Sequence, residues 1–238
     1  MCSECDRLAL DRRKFLALSA AGVAAGSLFG SRLAFAAGNT TGVTADEAIE
    51  RLKAGNEKYV TAPQVCAVEL SKQRSQVANG QTPWAAIVTC SDSRVPPELL
   101  FGGMGLGELF VARNAGNMVD TATMGTLEYG VEHLGVPLIV VMGHEKCGAV
   151  AAACAVVEKH ATFPGSIGPM VDAIVPAARA VYSKPGDFVD NAARESAKRT
   201  AAKVATESEI VSHFIKDNKV KVLAARYDLD NGRVEFMS

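Results

Sequence analysis

Hydrophobic and polar positions along this chain follow two periods, and the switches between them outline the fold. Met124, Leu127, Val131 and Leu134 recur at three- and four-residue steps, which predicts an amphipathic helix over Thr121 to Leu134, closed by Gly135. Thr44-Ala45-Asp46-Glu47 reads as a capping box opening a helix to about Tyr59, with Ala48, Ile49 and Leu52 on one face. Pro63 ends that segment, and a more polar helix is expected over Val68 to Val77, ending at Asn79-Gly80. Trp84 to Thr89 (WAAIVT), Leu109 to Ala112 (LFVA) and Pro137 to Met142 (PLIVVM) are short apolar runs bounded by breakers or polar clusters, the pattern of buried strands. Residues 147–160 and 168–183 read as helical, and 187–217 as mostly helical and more polar. Val220 to Tyr227 alternates into a strand, and Asp230-Asn231-Gly232 turns the chain back onto Val234 to Phe236 as a hairpin. Apolar strands separated by helices imply an α/β fold: a mainly parallel central sheet flanked by helices, with an N-terminal helical arm and a C-terminal β-hairpin. No repeat, low-complexity tract or Gly/Ser/Pro-rich linker divides residues 37–238, which are expected to form one domain.

Residues 1–36 have a different character. Arg12-Arg13-Lys14-Phe15-Leu16 precedes an uncharged run from Ala17 to Gly30, and Ala34-Phe35-Ala36 supplies small residues at the positions a signal peptidase reads. The paired arginines before Phe-Leu resemble a twin-arginine export signal, although Asp11 stands where that pattern usually has Ser or Thr. A membrane span takes about 20 apolar residues, and this run is shorter and rich in Ala, Gly and Ser. The expectation is a cleaved signal, an exported and periplasmic mature protein, and no stable membrane anchor after cleavage. Cys2 and Cys5 would leave with the signal, and their C-x-x-C spacing has no second pair nearby.

Charge excludes one class of partner. The chain has 25 basic and 26 acidic side chains. The first 36 residues carry five of the basic and three of the acidic groups, so the remaining 202 residues have a net charge of −3. Nucleic acid needs an excess of Lys and Arg, so it is not expected as a partner. Six cysteines in 238 residues are too few for a disulfide scaffold, and each is read by its position.

Two positions carry chemistry. Cys90-Ser91-Asp92-Ser93-Arg94 follows the first buried run, and His144-Glu145-Lys146-Cys147 follows the third. Ligands of open parallel sheets bind beyond the carboxyl ends of the strands, so Cys90, His144 and Cys147 should emerge on one edge. Two thiolates and an imidazole suit zinc, with a fourth position left for catalysis. Taken singly, a cysteine ending a strand is usually a small core residue, but both segments end buried strands and both are dense in polar and Gly residues. Asp92 and Arg94 lie close enough on a turn for a charge-assisted pair that keeps the carboxylate ionised and aimed. An exposed pair of this kind would otherwise contribute little.

These segments resemble the β-class carbonic anhydrases. C-S-D-S-R at 90–94 with H-x-x-C at 144–147 is similar to that family's zinc signature, as are Arg94 to Glu98, Gly107 to Val111, Arg113 to Asn117, Leu127 to Tyr129, and Gly143-His144 with Cys147 to Ala149. The resemblance implies one Zn2+ per subunit on Cys90, His144 and Cys147, with Asp92 and Arg94 as the catalytic dyad. It further implies hydration of CO2 to bicarbonate and a proton, and a homodimer or higher homo-oligomer whose cleft lies near the dimer interface. Carbonyl sulfide or carbon disulfide hydrolysis on the same ligands, and a non-catalytic zinc protein, are the alternatives. In part of the family the counterpart of Asp92 moves onto the metal as a fourth ligand, favoured by bicarbonate in a pocket formed by Trp and Gly. Ile87 and Thr89 stand at those two positions here, so an open site is expected.

The other features weigh less. Gly116 could bring its backbone N–H towards substrate or Asp92. Gly102, Gly103, Gly105 and Gly107 precede a strand and lack the dinucleotide pattern. Ser91 and Ser93 lack a nucleophile elbow. Cys66 and Cys154 are spare; an exported protein could pair them, but Cys154 is rather expected in the core. His133, His160 and His213 are proton-shuttle candidates by default, each better placed on a helix surface.

Overall fold

The structure is a computed structural model that describes residues 40–62 and 70–237. The expected export signal and Cys2, Cys5, Pro63 and Cys66 lie outside the described residues. Five strands form one sheet: β1 (Ala85–Cys90), β2 (Leu109–Asn114), β3 (Leu138–His144), β4 (Lys221–Tyr227) and β5 (Val234–Met237), in the order β2-β1-β3-β4-β5. β1 to β4 are mutually parallel and β5 runs antiparallel to β4, which is the mainly parallel sheet and terminal hairpin expected. Nine described helices surround them: α1 (Ala45–Thr61), α2 (Leu70–Val77), α3 (Pro97–Leu100), α4 (Thr121–Leu134), α5 (Gly148–Lys159), α6 (Ile167–Asp172), α7 (Val175–Val181), α8 (Phe188–Glu207) and α9 (Glu209–Lys216). Among the described residues no helix is long and apolar enough to cross a membrane.

The two faces of the sheet sort the side chains by the strand period of two. Ala86, Val88, Ile139 and Val141 face Leu127, Val131 and Leu134 of α4, Ala197, Ala201 and Val204 of α8, and Val211 of α9. Ile87, Leu138, Val140 and Met142 face Ala48 and Leu52 of α1, and Leu100 and Phe101 at the end of α3. Covering both faces is why β1 and β3 read as continuous apolar runs; every residue of both is buried. α8 reaches the sheet closely because it presents Ala193 and Ala197 to Gly143, where a Cβ would stand 3.1 Å from the Ala193 carbonyl oxygen.

Local signals set most of the boundaries. Thr44 and Glu47 form the reciprocal capping box of α1, and Asp120 caps α4 through a 2.8 Å bond from Thr123 N. Gly135 closes α4 in the left-handed conformation. Two boundaries and one burial pattern differ from the sequence reading. The helix expected over 168–183 divides into α6 and α7, where Pro176, with no N–H and a fixed φ, sits in the first turn of the second helix. The segment 187–217 divides at Ser208, whose hydroxyl accepts from Val211 N to start α9 and donates to Glu128. β4 does not alternate: Ala224 faces the α8 side while Ala225 and Tyr227 face the α1 side, so the strand is buried on both faces over Ala224–Tyr227.

The N-terminal arm is locked to the sheet by one polar side chain. Asn56 of α1, 6% exposed, donates to the carbonyls of Leu100 and Gly232 and accepts from Val234 N at 2.8 Å. Gly55 beside it has no room for a side chain, since a Cβ would fall 2.0 Å from Phe101 O. Asn56→Ala leaves three backbone groups without these partners and should lower stability by about 2–4 kcal/mol. The check is a lower urea midpoint at unchanged slope; an unchanged midpoint would show that solvent replaces all three bonds.

Candidate metal centre

β1 and β3 are adjacent and parallel, with Thr89 opposite Met142, so their carboxyl ends leave the sheet together. Cys90 is the last residue of β1 and His144 the last of β3. Glu145 and Lys146 then turn the chain, Lys146 with φ +54°, and Cys147 becomes the N-cap of α5. The sulfurs of Cys90 and Cys147 lie 4.0 Å apart, and these two atoms and an imidazole nitrogen of His144 all fall within 4.8 Å of one another. All three residues are buried, and the two cysteines pack in an apolar cluster with Val150, Val171 and Ile174.

The donor set fits zinc. Two thiolates about 2.3 Å from a tetrahedral ion stand about 3.8 Å apart, close to the separation found. Nδ1 of His144 donates to the Glu145 carbonyl at 2.8 Å, since a carbonyl only accepts. That bond leaves Nε2 bare, and Nε2 is buried with no hydrogen-bond partner. A buried lone pair converging with two sulfurs has the chemistry of a metal ligand.

The thiols are electrostatically unequal. Donation from Cys147 lowers Cys90 far below an ordinary thiol, helped by His144 and by the Gly116 N–H 3.4 Å from its sulfur. The same contact, together with burial, raises Cys147. Gly116 thus turns its backbone N–H towards the Cys90 sulfur. Its φ of +80° and the Ile174 methyl 2.6 Å from a would-be Cβ admit only glycine there.

Asp92 and Arg94 are brought together as expected. Arg94 Nε donates to Asp92 Oδ1 at 2.9 Å and the guanidinium's second arm to Oδ2 at 2.7 Å, with the Arg94 backbone N–H also on Oδ1. This grip holds the Asp92 carboxyl well below the usual carboxylate range. Oδ2 lies 4.0 Å from His144 Nε2, so the carboxylate borders the metal centre and faces Arg94.

One participant was not singled out from sequence. Arg113 of β2 donates from Nε to the Cys90 carbonyl at 3.0 Å and from its second arm to the Asp92 carbonyl at 2.6 Å. Its sequence signal was its place in the Arg113 to Asn117 segment of the family resemblance, which assigned it no role.

The remaining features lie elsewhere. Ile87 and Thr89 are fully buried, the Thr89 hydroxyl bonded to the Met142 carbonyl. Cys154 is a buried free thiol raised to about 11 by burial. His133 packs against Tyr129, His160 caps the end of α5, and His213 is exposed 3.8 Å from Asp217. The glycine-rich loop is an ordinary turn in which Glu108 accepts from Gly105 N.

The profile of the family described as carbonic anhydrase matches residues 85–234. Carbonic anhydrase 2 of Mycobacterium tuberculosis is 36% identical over 195 residues, covering 82% of this chain and 92% of that protein. The carbonic anhydrase of Mycolicibacterium smegmatis is 32% identical over 187 residues, covering 79% and 90%. Among solved structures, a tetrameric β-carbonic anhydrase of Sordaria macrospora superposes with a TM-score of 0.62 at 26% identity, over 69% of this chain and 85% of that one. The Coccomyxa β-carbonic anhydrase in complex with acetazolamide gives 0.60 at 26%, over 82% and 86%. The length of these matches and the buried Cys-His-Cys cluster they enclose place the chain in the carbonic anhydrase family, in its β class.

Proposed function

We propose that this chain catalyses the reversible hydration of CO2 to bicarbonate and a proton, with one zinc ion per subunit on Cys90, His144 and Cys147. The observation that carries the reading is the bare, buried Nε2 of His144, converging with two sulfurs and bordered by an ionised carboxylate. Zinc held there supplies Lewis acidity and acidifies water.

The chain's own residues supply the rest. Asp92 Oδ2 takes one bond from Arg94 and keeps lone-pair capacity on the side facing the centre. As a carboxylate it can only accept, so it fixes the proton of a water molecule and leaves that oxygen's lone pair for CO2. Held so far below the neutral range, Asp92 is too weak a base to carry away the product proton, which passes to buffer. The buried packing of Val150, Val171 and Ile174 around the cysteines keeps bulk water from the thiolates. Carbonyl sulfide or carbon disulfide would suit the same ligands, but the relatives named above are carbonic anhydrases. A purely structural zinc site would use a fourth Cys or His, and among the described residues none joins this cluster. The working form is a homodimer or a higher homo-oligomer, in keeping with the tetrameric Sordaria proteins.

Replacing Cys147 with Ala should remove zinc and CO2 hydration together, read by metal content and stopped-flow assay of the purified protein. Stoichiometric zinc in that variant would overturn the ligand set. A second expectation concerns pH. Arg94 keeps Asp92 ionised and turned towards itself, and the buried Ile87 and Thr89 stand where the family's bicarbonate pocket has Trp and Gly, so activity between about pH 6.5 and 8.5 should follow one ionisation near the pKa of about 7 known for zinc-activated water. Bicarbonate should not inhibit; a steep, cooperative loss towards low pH would refute the open arrangement.

The reading also includes export. Residues 1–36 act as a twin-arginine-type signal delivering the folded domain 37–238 to the periplasm, a route that allows zinc to protect the thiolates before they meet oxidants. Changing Arg12 and Arg13 to Lys should strand activity in the cytoplasm, measured by fractionation. Unchanged export would assign the signal to the ordinary secretory type.

A further inference from the structure

We infer that Arg113 is a positioning residue for the reaction: its guanidinium clamps the Cys90–Asp92 segment so that one metal-binding thiolate and the Asp92 carboxylate are presented together. The inference rests on the hydratase reading of this site and extends it to a side chain that touches neither metal nor substrate.

The segment needs such a clamp. β3 pairs with β1 only up to Thr89, and beyond it the chain leaves the ladder just where it must deliver two functional groups. Cys90 still faces Asn114 of β2, and Ser91 N donates to the Asn114 carbonyl at 3.0 Å. The carbonyls on either side of Ser91 are the two that Arg113 reaches. Arg113 stands opposite Thr89 in register, and its side chain follows the departing segment to take both, Cys90 O at 3.0 Å and Asp92 O at 2.6 Å. The Asp92 carbonyl also accepts from Val95 N at 3.0 Å, so the turn that carries Arg94 is tied to the same point.

The chemistry of the clamp is specific to arginine. Among the described residues its guanidinium bonds two backbone carbonyls and no carboxylate. Charge-assisted bonds of this kind are roughly twice as strong as neutral ones. A planar fork spans two acceptors at once, while an ammonium is a single point with no fixed geometry. The division of labour is then plain: Arg94 aims the Asp92 carboxylate, and Arg113 fixes the backbone from which that carboxylate and the Cys90 sulfur both project.

The test compares Arg113→Met and Arg113→Lys with the zinc-loaded wild-type chain. In Arg113→Met, kcat should fall about 10- to 100-fold with KM little changed. Amides of Ser91 to Val95 should exchange hydrogen faster while those of β1 keep their protection. Melting temperature and oligomeric state should stay at wild-type values, and Arg113→Lys should recover part of the rate. Unchanged exchange over 91–95, or an unchanged kcat, would overturn the clamp. A rate loss that tracks a change of oligomeric state would overturn it too, by assigning Arg113 to an interface between subunits. Failure of the hydratase reading looks different: the wild-type chain itself would not hydrate CO2, while the exchange comparison would still decide whether Arg113 holds the segment.

Discussion

Parallel pairing of β1 with β3 is the constraint on which the rest depends. Because the strands are parallel, neighbouring and in register, their last residues share one edge, and Cys90 and His144 meet although 54 residues separate them. An antiparallel pairing would put them at opposite ends of the sheet. Parallel pairing needs a crossover, which the chain provides through β2 and α4, and that crossover must be covered on its sheet side. Hence the uninterrupted apolar runs of β1 and β3, the stripe of α4, and the small residues that let α8 lie close. Cys147 joins the pair through a two-residue turn and the first turn of α5, so the third donor costs no further topology.

The site sets burial against charge. Two thiolates side by side in an apolar cluster would repel one another and lose hydration, and the contact between the sulfurs accordingly lowers Cys90 and raises Cys147. A dication held by both would relieve both costs. The Gly116 N–H on the Cys90 sulfur withdraws some of the negative charge that a thiolate there would carry. A glycine whose conformation and crowding exclude any side chain is thus spent on the electronics of a sulfur. Asp92 lies just outside this cluster, partly solvated, where Arg94 can reach it.

Much of this was legible in the sequence because the signals were local. The capping box of α1, the stripe and Gly135 of α4, and the apolar runs of β1 and β3 each carry their own period or breaker, and the structure follows them closely. The ligands were legible because a polar cluster straight after a buried strand has one place to go. What sequence did not give depends on what packs against what. The single turn of α3 is too short for a period, and the break at Ser208 follows from a hydroxyl bonded to Glu128 in another helix. The buried second face of β4 comes from contacts across the sheet. Gly116 was legible as a residue near the site, but its contact with the Cys90 sulfur was not, since the direction of a backbone N–H is fixed by a turn that sequence does not specify. Arg113 was hidden for a related reason: an exposed arginine on an edge strand looks like any solvated charge until its acceptors, two carbonyls on the neighbouring chain segment, are in view.

The two arginines also explain how the Asp92 carboxylate can be both strongly held and fixed in place. A single guanidinium on Asp92 would lower its basicity yet leave the turn free to carry carboxylate and arginine away as a unit, because Arg94 is only two residues along the same turn. An ion pair inside one flexible segment fixes an internal geometry and nothing outside it. Anchoring that segment takes a donor from a different element, and among the described residues β2 is the strand beside β1 on that side of the sheet. Its backbone holds Ser91, its side chain holds the flanking carbonyls, and the turn that follows it holds the Cys90 sulfur. The edge strand, the least buried of the parallel set, thereby carries the positional load of the catalytic turn, and the sheet core carries the stability.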